Sequence, residues 1–262
     1  MKSLKNKVVL VTGASSGIGE AFVYELAKQG AIIIITARSQ SKLQILADKI
    51  CNEYANKVVV LPGDLSLKET PLKLYNDIRK LELTVDILIN NAGIGMWANF
   101  LDESIESYEK MLELNINALV KLSHFFLPDM LKKEEGGIIN IASTGALQPC
   151  PYIAVYCASK AFVLSFSEAL YGEYYKKGIT VTAVCPGNTA TSFQSAAKAN
   201  TKGMSFDTAQ KVAKEAIRAF LGNKSSKIIG LMNYIQSFLP RLLPRKTIIC
   251  IVKNMMDKRV NG

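Results

Sequence analysis

Apolar residues along the chain fall into two alternating rhythms. Short unbroken runs rich in Val and Ile occur at Lys7-Val-Val-Leu-Val-Thr12, Ala31-Ile-Ile-Ile-Ile-Thr36, Lys57-Val-Val-Val-Leu61, Val85-Asp-Ile-Leu-Ile-Asn90, Gly137-Ile-Ile-Asn-Ile141 and Ile179-Thr-Val-Thr-Ala-Val184. Between them apolar residues recur every three or four positions, as in Ala21, Phe22, Leu26 and Ala27, and again in Leu43, Leu46 and Ile50. Runs without polar alternation predict strands covered on both faces; the wider spacing predicts amphipathic helices. Longer helices are expected near 104–131, 152–176 and 208–221, and a short strand at Lys227-Ile-Ile-Gly230.

Strand and helix alternate from residue 7 to the 220s. This order predicts an α/β fold, a doubly wound, Rossmann-type parallel sheet with helices on both faces and ligands at the carboxyl ends of the strands. No linker or low-complexity segment interrupts it before about residue 190. The expectation is a single catalytic domain over residues 1–230 with a C-terminal helical extension, 231–262.

Composition narrows the class. With 262 residues, 49% hydrophobic and 21% charged, the chain is long and apolar enough to bury a large core. Its five cysteines show no C-x-x-C or zinc-finger spacing, and no metal site is expected. With no secretory signal at the start, reduced thiols and a cytoplasmic location are expected. The net charge of +10 is local: residues 1–197 carry 19 Lys/Arg and 19 Asp/Glu, whereas 198–262 carry 13 Lys/Arg and 3 acids. That places a basic surface at one end and gives no nucleic-acid-binding pattern.

Candidate chemistry begins at the first strand–helix junction. Gly13-Ala-Ser15-Ser16-Gly17-Ile18-Gly19 is a glycine turn where backbone can approach a pyrophosphate and a helix N-terminus can receive it. The second strand ends in Thr36-Ala37-Arg38 with no acid to bind a ribose hydroxyl. Arg38 offers instead a fork of donors for a 2′-phosphate, which favours NADP(H) over NAD(H). Asp64-Leu65 after the third strand is placed to hold an adenine amine, and Asn90-Asn91-Ala92-Gly93 ends the fourth strand at the cofactor's border. Tyr156 and Lys160, four residues apart, share a helix face. A cation beside a phenol lowers its pKa and makes a tuned proton donor.

In this order and spacing, Thr12-Gly13-x-x-x-Gly17-Ile18-Gly19, Asp64, Asn90-Asn91-Ala92-Gly93, Asn115, Ser143, Tyr156-x-x-x-Lys160 and Pro186-Gly187 resemble the short-chain dehydrogenase/reductase family over roughly residues 5–192. The resemblance implies that Tyr156 exchanges a proton with the substrate oxygen. It implies that Lys160 lowers the Tyr156 pKa and binds the nicotinamide ribose. Ser143 would bond the carbonyl, and Asn115 would hold a water linking Lys160 to solvent. Thr189 and Thr191 resemble residues that hold the nicotinamide half, and the long helices resemble those that pair subunits in homodimers and homotetramers. His124, the only histidine, is expected to be a helix residue outside the chemistry, and Cys150 and Cys157 to line the site.

Beyond Pro186-Gly187 the family motifs stop. Residues 192–200 are expected to form a substrate lid, with Phe193, Ala196, Ala197, Met204 and Phe206 as an apolar wall. Residues 231–239 show helical spacing that Pro240 and Pro244 interrupt and Ile248, Ile251, Val252, Met255 and Met256 resume, studded with basic residues. Two placements follow: a peripheral contact with an anionic membrane, or a helix packed over the cleft or a neighbouring subunit. The expected activity is NADP(H)-dependent interconversion of a ketone and a secondary alcohol, with a 3-oxoacyl or other lipophilic compound as leading substrate. Alternatives are a non-catalytic NADP(H)-binding regulator or scaffold, and an epimerase or dehydratase on the same fold.

Overall fold

The computed structural model describes residues 3–197 and 200–260, the side chain of Lys258 excepted. Strands β1 (Val8–Thr12), β2 (Ile32–Thr36), β3 (Val58–Val60), β4 (Ile87–Asn90), β5 (Gly136–Ile141) and β6 (Ile179–Cys185) follow the apolar runs. The seventh strand of the sheet, β9 (Ser226–Ile228), starts one residue before the expected run. The order is β3-β2-β1-β4-β5-β6-β9, and every pairing is parallel. Sequential strands run outward from β1 in one direction and from β4 in the other. The crevice at this reversal is where such sheets bind ligands.

Two apolar layers explain why the strands show no polar alternation. Val9, Val11, Ile33, Ile35, Ile87 and Ile89 point into one core beneath α1 (Gly17–Ala27), α2 (Gln40–Tyr54) and α8 (Ala209–Leu221). Leu10, Ile34 and Leu88, one residue out of phase, point into the other, beneath α3 (Thr70–Lys80) and α5 (Ala118–Lys132). Successive positions of the central strands are therefore mostly apolar, and the polar ones among them, such as Asn90 and Asn140, are buried with hydrogen-bond partners.

The stretch expected as one helix over 104–131 is broken. α4 (Ile105–Leu112) passes into a π-turn, Glu113–Asn117, before α5 begins. The extra residue in that turn rotates Asn115 inward, where it is almost fully buried. Lys121 and Asn117 hold the Glu113 carboxylate at 2.9 and 2.6 Å, so the turn carries its own polar partners. α6 (Ala154–Tyr174) carries Tyr156 and Lys160.

After β6 a short ribbon pairs β7 (Thr189–Ala190) with β8 (Asp207–Thr208). It brackets α7 (Phe193–Ala196) in the expected lid; Lys198 and Ala199 of that lid lie outside the described residues. The C-terminal segment forms α9 (Leu231–Gln236), α10 (Leu239–Leu242) and α11 (Arg245–Val260). Pro240 does not interrupt a helix as expected. It sits in the first turn of α10, where its missing N–H costs nothing. Ile248, Val252 and Met256 of α11 pack on Cys150, Ile153 and Cys157. The extension thus folds back onto the helix that carries Tyr156. Among the described residues no helix is long and apolar enough to cross a membrane.

Candidate active site

A cleft of about 890 Å³ runs along the carboxyl ends of the strands, from the β1 and β2 turns to the C-terminal helices. Its floor at one end is the glycine turn. Gly13 and Gly17 adopt φ +64 and +60°, and a Cβ on them would lie 2.9 Å from Ala92 Cα and from Thr191 Cγ2 respectively. Only glycine lets this backbone line a groove so closely. Ser15, Ser16, Gly17 and Ile18 line the groove at the N-terminus of α1, where free N–H groups and the helix dipole favour an anion. Gly19 does not reach the cleft. Its missing Cβ makes room for the Gly13 carbonyl oxygen, 2.2 Å from where that carbon would be.

Neighbouring strand ends are clamped by side chains. The Asn91 amide donates to the Thr12 and Gly13 carbonyls at 2.9 and 3.2 Å. The Thr12 hydroxyl accepts the N–H groups of Asn91 and Ala92, both at 3.0 Å. Asn91, Ala92 and Gly93 line the cleft; Asn90, expected beside them, does not. Strand alternation turns Asn90 beneath the sheet end, where its amide donates to Asn140 Oδ1 at 2.9 Å and to Ser123 Oγ at 3.3 Å. Asn140 donates onward to Ser167 Oγ at 2.9 Å. Asn90 belongs to a buried, satisfied network that stiffens the strand ends.

Beyond the turn, Arg38, Ser39 and Lys42 line one mouth of the cleft. Ser39 caps α2, which places Lys42 one turn further on the same helix end. Sequence reasoning singled out Arg38 alone; the cap and the one-turn spacing were the signal for the other two. Leu65 lines the cleft beside Asp64. Partial burial works against the Asp64 carboxylate. Hydrogen bonds from Ser66, with Lys110 and Arg38 nearby, outweigh it and hold the pKa below the usual value.

Pro186, Gly187, Thr189 and Thr191 line the middle. The Pro186 carbonyl accepts the Thr144 N–H at 2.9 Å, tying this loop to the one that bears Ser143. Thr189 donates to the Gly187 carbonyl at 3.2 Å, and Thr191 accepts the Phe193 N–H at 3.2 Å.

Ser143, Tyr156 and Lys160 meet beyond this loop. Ser143, two residues past the end of β5, is in extended backbone, accepts the Gly145 N–H at 3.1 Å and hydrogen-bonds the Tyr156 phenol. Lys160 is buried; its ammonium donates to the Ile141 carbonyl at 2.7 Å and lies 5.8 Å from the centre of the Tyr156 ring. Burial lowers the Lys160 pKa to about 8. Burial also raises the Tyr156 pKa, against the smaller effect of the Ser143 hydrogen bond. This corrects the expectation that Lys160 depresses the phenol. Desolvation dominates, and the ammonium is directed at Ile141 rather than at the phenol oxygen.

Asn115 is fully engaged. Its amide donates to the Ile94 carbonyl at 2.9 Å and to Ser159 Oγ at 3.0 Å, and its oxygen accepts the Ile94 N–H at 3.0 Å. It fixes Gly93 and Ile94 close to Lys160: a Cβ on Gly93 would lie 3.3 Å from the ammonium. His124 is exposed on α5, edge-on to Phe125 and outside the cleft. Cys150 and Cys157 line it as expected, both buried, their thiols hydrogen-bonded to each other. Among the described residues no group of His, Cys, Asp or Glu is arranged to hold a metal.

The far wall departs from expectation. Phe193, Ala196 and Met204 line the cleft, and the Phe193 ring lies 5.5 Å from that of Tyr156. Ala197 is buried, with its carbonyl accepting the Trp97 N–H at 3.1 Å, and Phe206 is turned out to solvent. The wall is completed by Trp97 and by Ile248, Ile251, Val252 and Met255 of α11. The helical spacing of the α11 residues was visible, and packing over the cleft was one of the two placements expected for them.

Residues 7–202 match the family profile described as short chain dehydrogenase. The chain belongs to the short-chain dehydrogenase family. It is thereby an oxidoreductase that interconverts carbonyl and alcohol groups. Among relatives of this short-chain dehydrogenase, the very-long-chain 3-oxoacyl-CoA reductase of Anas platyrhynchos is 34% identical over 254 residues, covering 92% of this chain and 77% of the relative. A short-chain dehydrogenase from Sphingobium yanoikuyae, solved in complex with NADPH, superposes with a TM-score of 0.82 at 28% identity, covering 91% of this chain and 96% of that one. L-sorbose reductase from Gluconobacter frateurii, complexed with NADPH and L-sorbose, gives 0.78 at 26% identity over 87% and 96%. The profile ends at residue 202, so α8 to α11 lie beyond the part that defines the family.

Proposed function

We propose that this short-chain dehydrogenase is an NADP(H)-dependent carbonyl reductase, working on a lipophilic ketone of the 3-oxoacyl class. One observation carries the reading. A partly buried phenol and hydroxyl and a buried ammonium converge at one end of a cleft whose other end bears Arg38, Ser39 and Lys42. Among the described residues neither Arg38 nor Lys42 is drawn into an ion pair. That leaves both for the extra phosphate of NADP(H).

The residues present fit the dinucleotide. Glycine backbone that a Cβ would block lies under the pyrophosphate position, with the α1 N–H groups at its end. Asp64 and Leu65 suit the adenine, Gly93 and Lys160 the nicotinamide ribose, and Thr189 and Thr191 the nicotinamide half. When bound, the reduced nicotinamide would supply the hydride. The chain supplies the rest. Ser143 and Tyr156 donate to the substrate oxygen and stabilise the charge that develops there. Tyr156, held protonated by burial, gives its proton to the forming alkoxide, since a phenol is a far stronger acid than an aliphatic alcohol. Lys160 orients the ribose, and Asn115 positions the Gly93–Ile94 backbone beside it. Ile141, Phe193, Val252 and Met255 exclude water and accept an apolar chain.

The 3-oxoacyl-CoA reductase named above and the NADPH-bound neighbours support this assignment. A homodimer or homotetramer and a cytoplasmic location belong to the same reading. A panel of ketones, assayed with NADPH and NADH side by side, tests it. Oxidation of NADPH by long-chain 3-oxoacyl esters at a kcat/KM at least about tenfold above that with NADH is expected. Saturable NADPH binding with no turnover across the panel would leave the regulator in its place.

A further inference from the structure

α9 is built inside out. Its polar residues Asn233 and Gln236, with Ser237 just after it, line the cleft, and Asn233 donates to the Ile229 carbonyl at 2.8 Å. Its apolar residues Leu231, Met232 and Ile235, and Phe238, Leu242 and Leu243 in and around α10, face solvent instead. All are exposed and none lines the cleft; Leu231 and Leu242 reach 76% and 77%. Neither α9 nor α10 contributes any buried residue. A helix in water turns its apolar side toward protein, and a contiguous apolar patch on a soluble surface marks a contact.

The charge around this patch identifies the partner. Arg241 within this stretch and Arg245 and Lys246 directly after it are exposed, and no acid occurs in the sequence between Glu215 and Asp257. A second copy of this chain would set this uniformly basic surface against itself in a two-fold contact. An anionic bilayer satisfies both properties at once, taking the aliphatic side chains between its headgroups and the cations onto its phosphates.

We propose that α9 and α10 dock onto anionic phospholipid. α11, whose inner face walls the cleft, would then set the cleft mouth at the bilayer surface, so that lipophilic ketone enters from the membrane. The delivery step rests on the reductase reading; the docking does not.

The test uses the full chain with vesicles of phosphatidylcholine alone or mixed with phosphatidylserine. The expected result is co-sedimentation with the mixed vesicles about tenfold above that with the neutral ones, weakening as salt rises. Leu231→Glu/Leu242→Glu should cut binding about tenfold while thermal unfolding and NADPH-dependent reduction of a water-soluble ketone stay unchanged. Arg245→Gln/Lys246→Gln should remove the preference for phosphatidylserine. Equal partitioning of wild type and the Leu231/Leu242 variant, or no vesicle binding by wild type, would overturn the proposal. So would a fall in the solution mass of that variant without vesicles, which would assign the patch to a second copy. Sedimentation needs no turnover, so loss of the reductase reading would leave this outcome legible.

Discussion

The Lys160 ammonium lies 5.8 Å from the centre of the Tyr156 ring and donates its 2.7 Å hydrogen bond to Ile141. The two side chains share a helix face, yet the lysine is directed at the end of β5 rather than at the phenol oxygen. Burial decides both protonation states: it keeps the phenol protonated and makes the ammonium the strained partner.

Tyr156→Phe removes the proton donor and leaves the ring. Turnover of the best ketone should fall by roughly 10²–10⁴-fold, the range for loss of a positioned general acid. NADPH affinity should stay within about twofold, as the groove at the glycine turn is untouched. Quenching of Trp97, the one tryptophan and a residue of the cleft, reads the affinity directly. Turnover surviving in the variant would remove Tyr156 from the proton step.

Lys160 carries a pH signature in stability. Its folded pKa of about 8 lies below the ordinary lysine value of 10.5. Between these values the unfolded chain holds the proton and the folded one does not, so the Lys160 contribution rises with pH across that window. Below pH 8 the full cost of the buried charge is present, on the order of 3 kcal/mol. The neighbouring Cys150 thiol together with burial raises the pKa of Cys157, and burial raises that of Cys185; both slope stability the other way, so the wild-type curve alone is mixed. The difference between wild type and Lys160→Met isolates the lysine. Urea unfolding should show the Met variant more stable near pH 7, with the gap closing toward pH 10.5. A gap independent of pH would show that burial does not depress this amine.

Arg38→Ala separates the two dinucleotides. A charge-assisted hydrogen bond to a phosphate is worth about 1.5–3 kcal/mol, or roughly 10–100-fold. KM for NADPH should rise by that factor while KM for NADH moves little, and Lys42→Ala should give a smaller effect in the same direction. Equal loss for both cofactors would place Arg38 away from the 2′-phosphate.

Gly17→Ala tests the cradle. The residue is at φ +60°, and its Cβ would meet the Thr191 methyl at 2.9 Å. Left-handed backbone costs a substituted residue about 1–2 kcal/mol. A lower melting temperature and NADPH binding weakened by at least about tenfold are expected together. Melting unchanged and binding retained would mean that the turn relaxes freely.

The strands were legible from their Val and Ile runs because both faces of this sheet are covered, so few positions are polar and none alternate. That Ser143, Tyr156 and Lys160 would meet in one cleft was legible because their spacing is set by one helix and one strand end. Asn90 and Gly19 were misplaced for a different reason. Whether a side chain at a strand end faces the cleft or the core depends on strand phase, and a glycine can serve packing as well as a ligand. The break at Glu113–Asn117 was hidden because a π-turn adds one residue without changing the apolar spacing around it. The direction of the Tyr156 shift required burial, which no spacing supplies. The role of 231–260 was the least legible. An apolar stripe says that something is covered; the cleft was one of two surfaces it allowed, and the fold seats α11 there.

The covering of the cleft by α11 divides the enzyme into two independently variable parts. On the proposed reading, proton transfer and the nucleotide groove are written in residues up to Thr191, and much of the apolar wall of the cleft in α11. A lineage can therefore exchange one side chain on α11 for another and acquire a new preferred compound without touching Ser143, Tyr156 or Lys160. Diversity of substrates on a constant reaction follows from the separation of these two stretches along the chain.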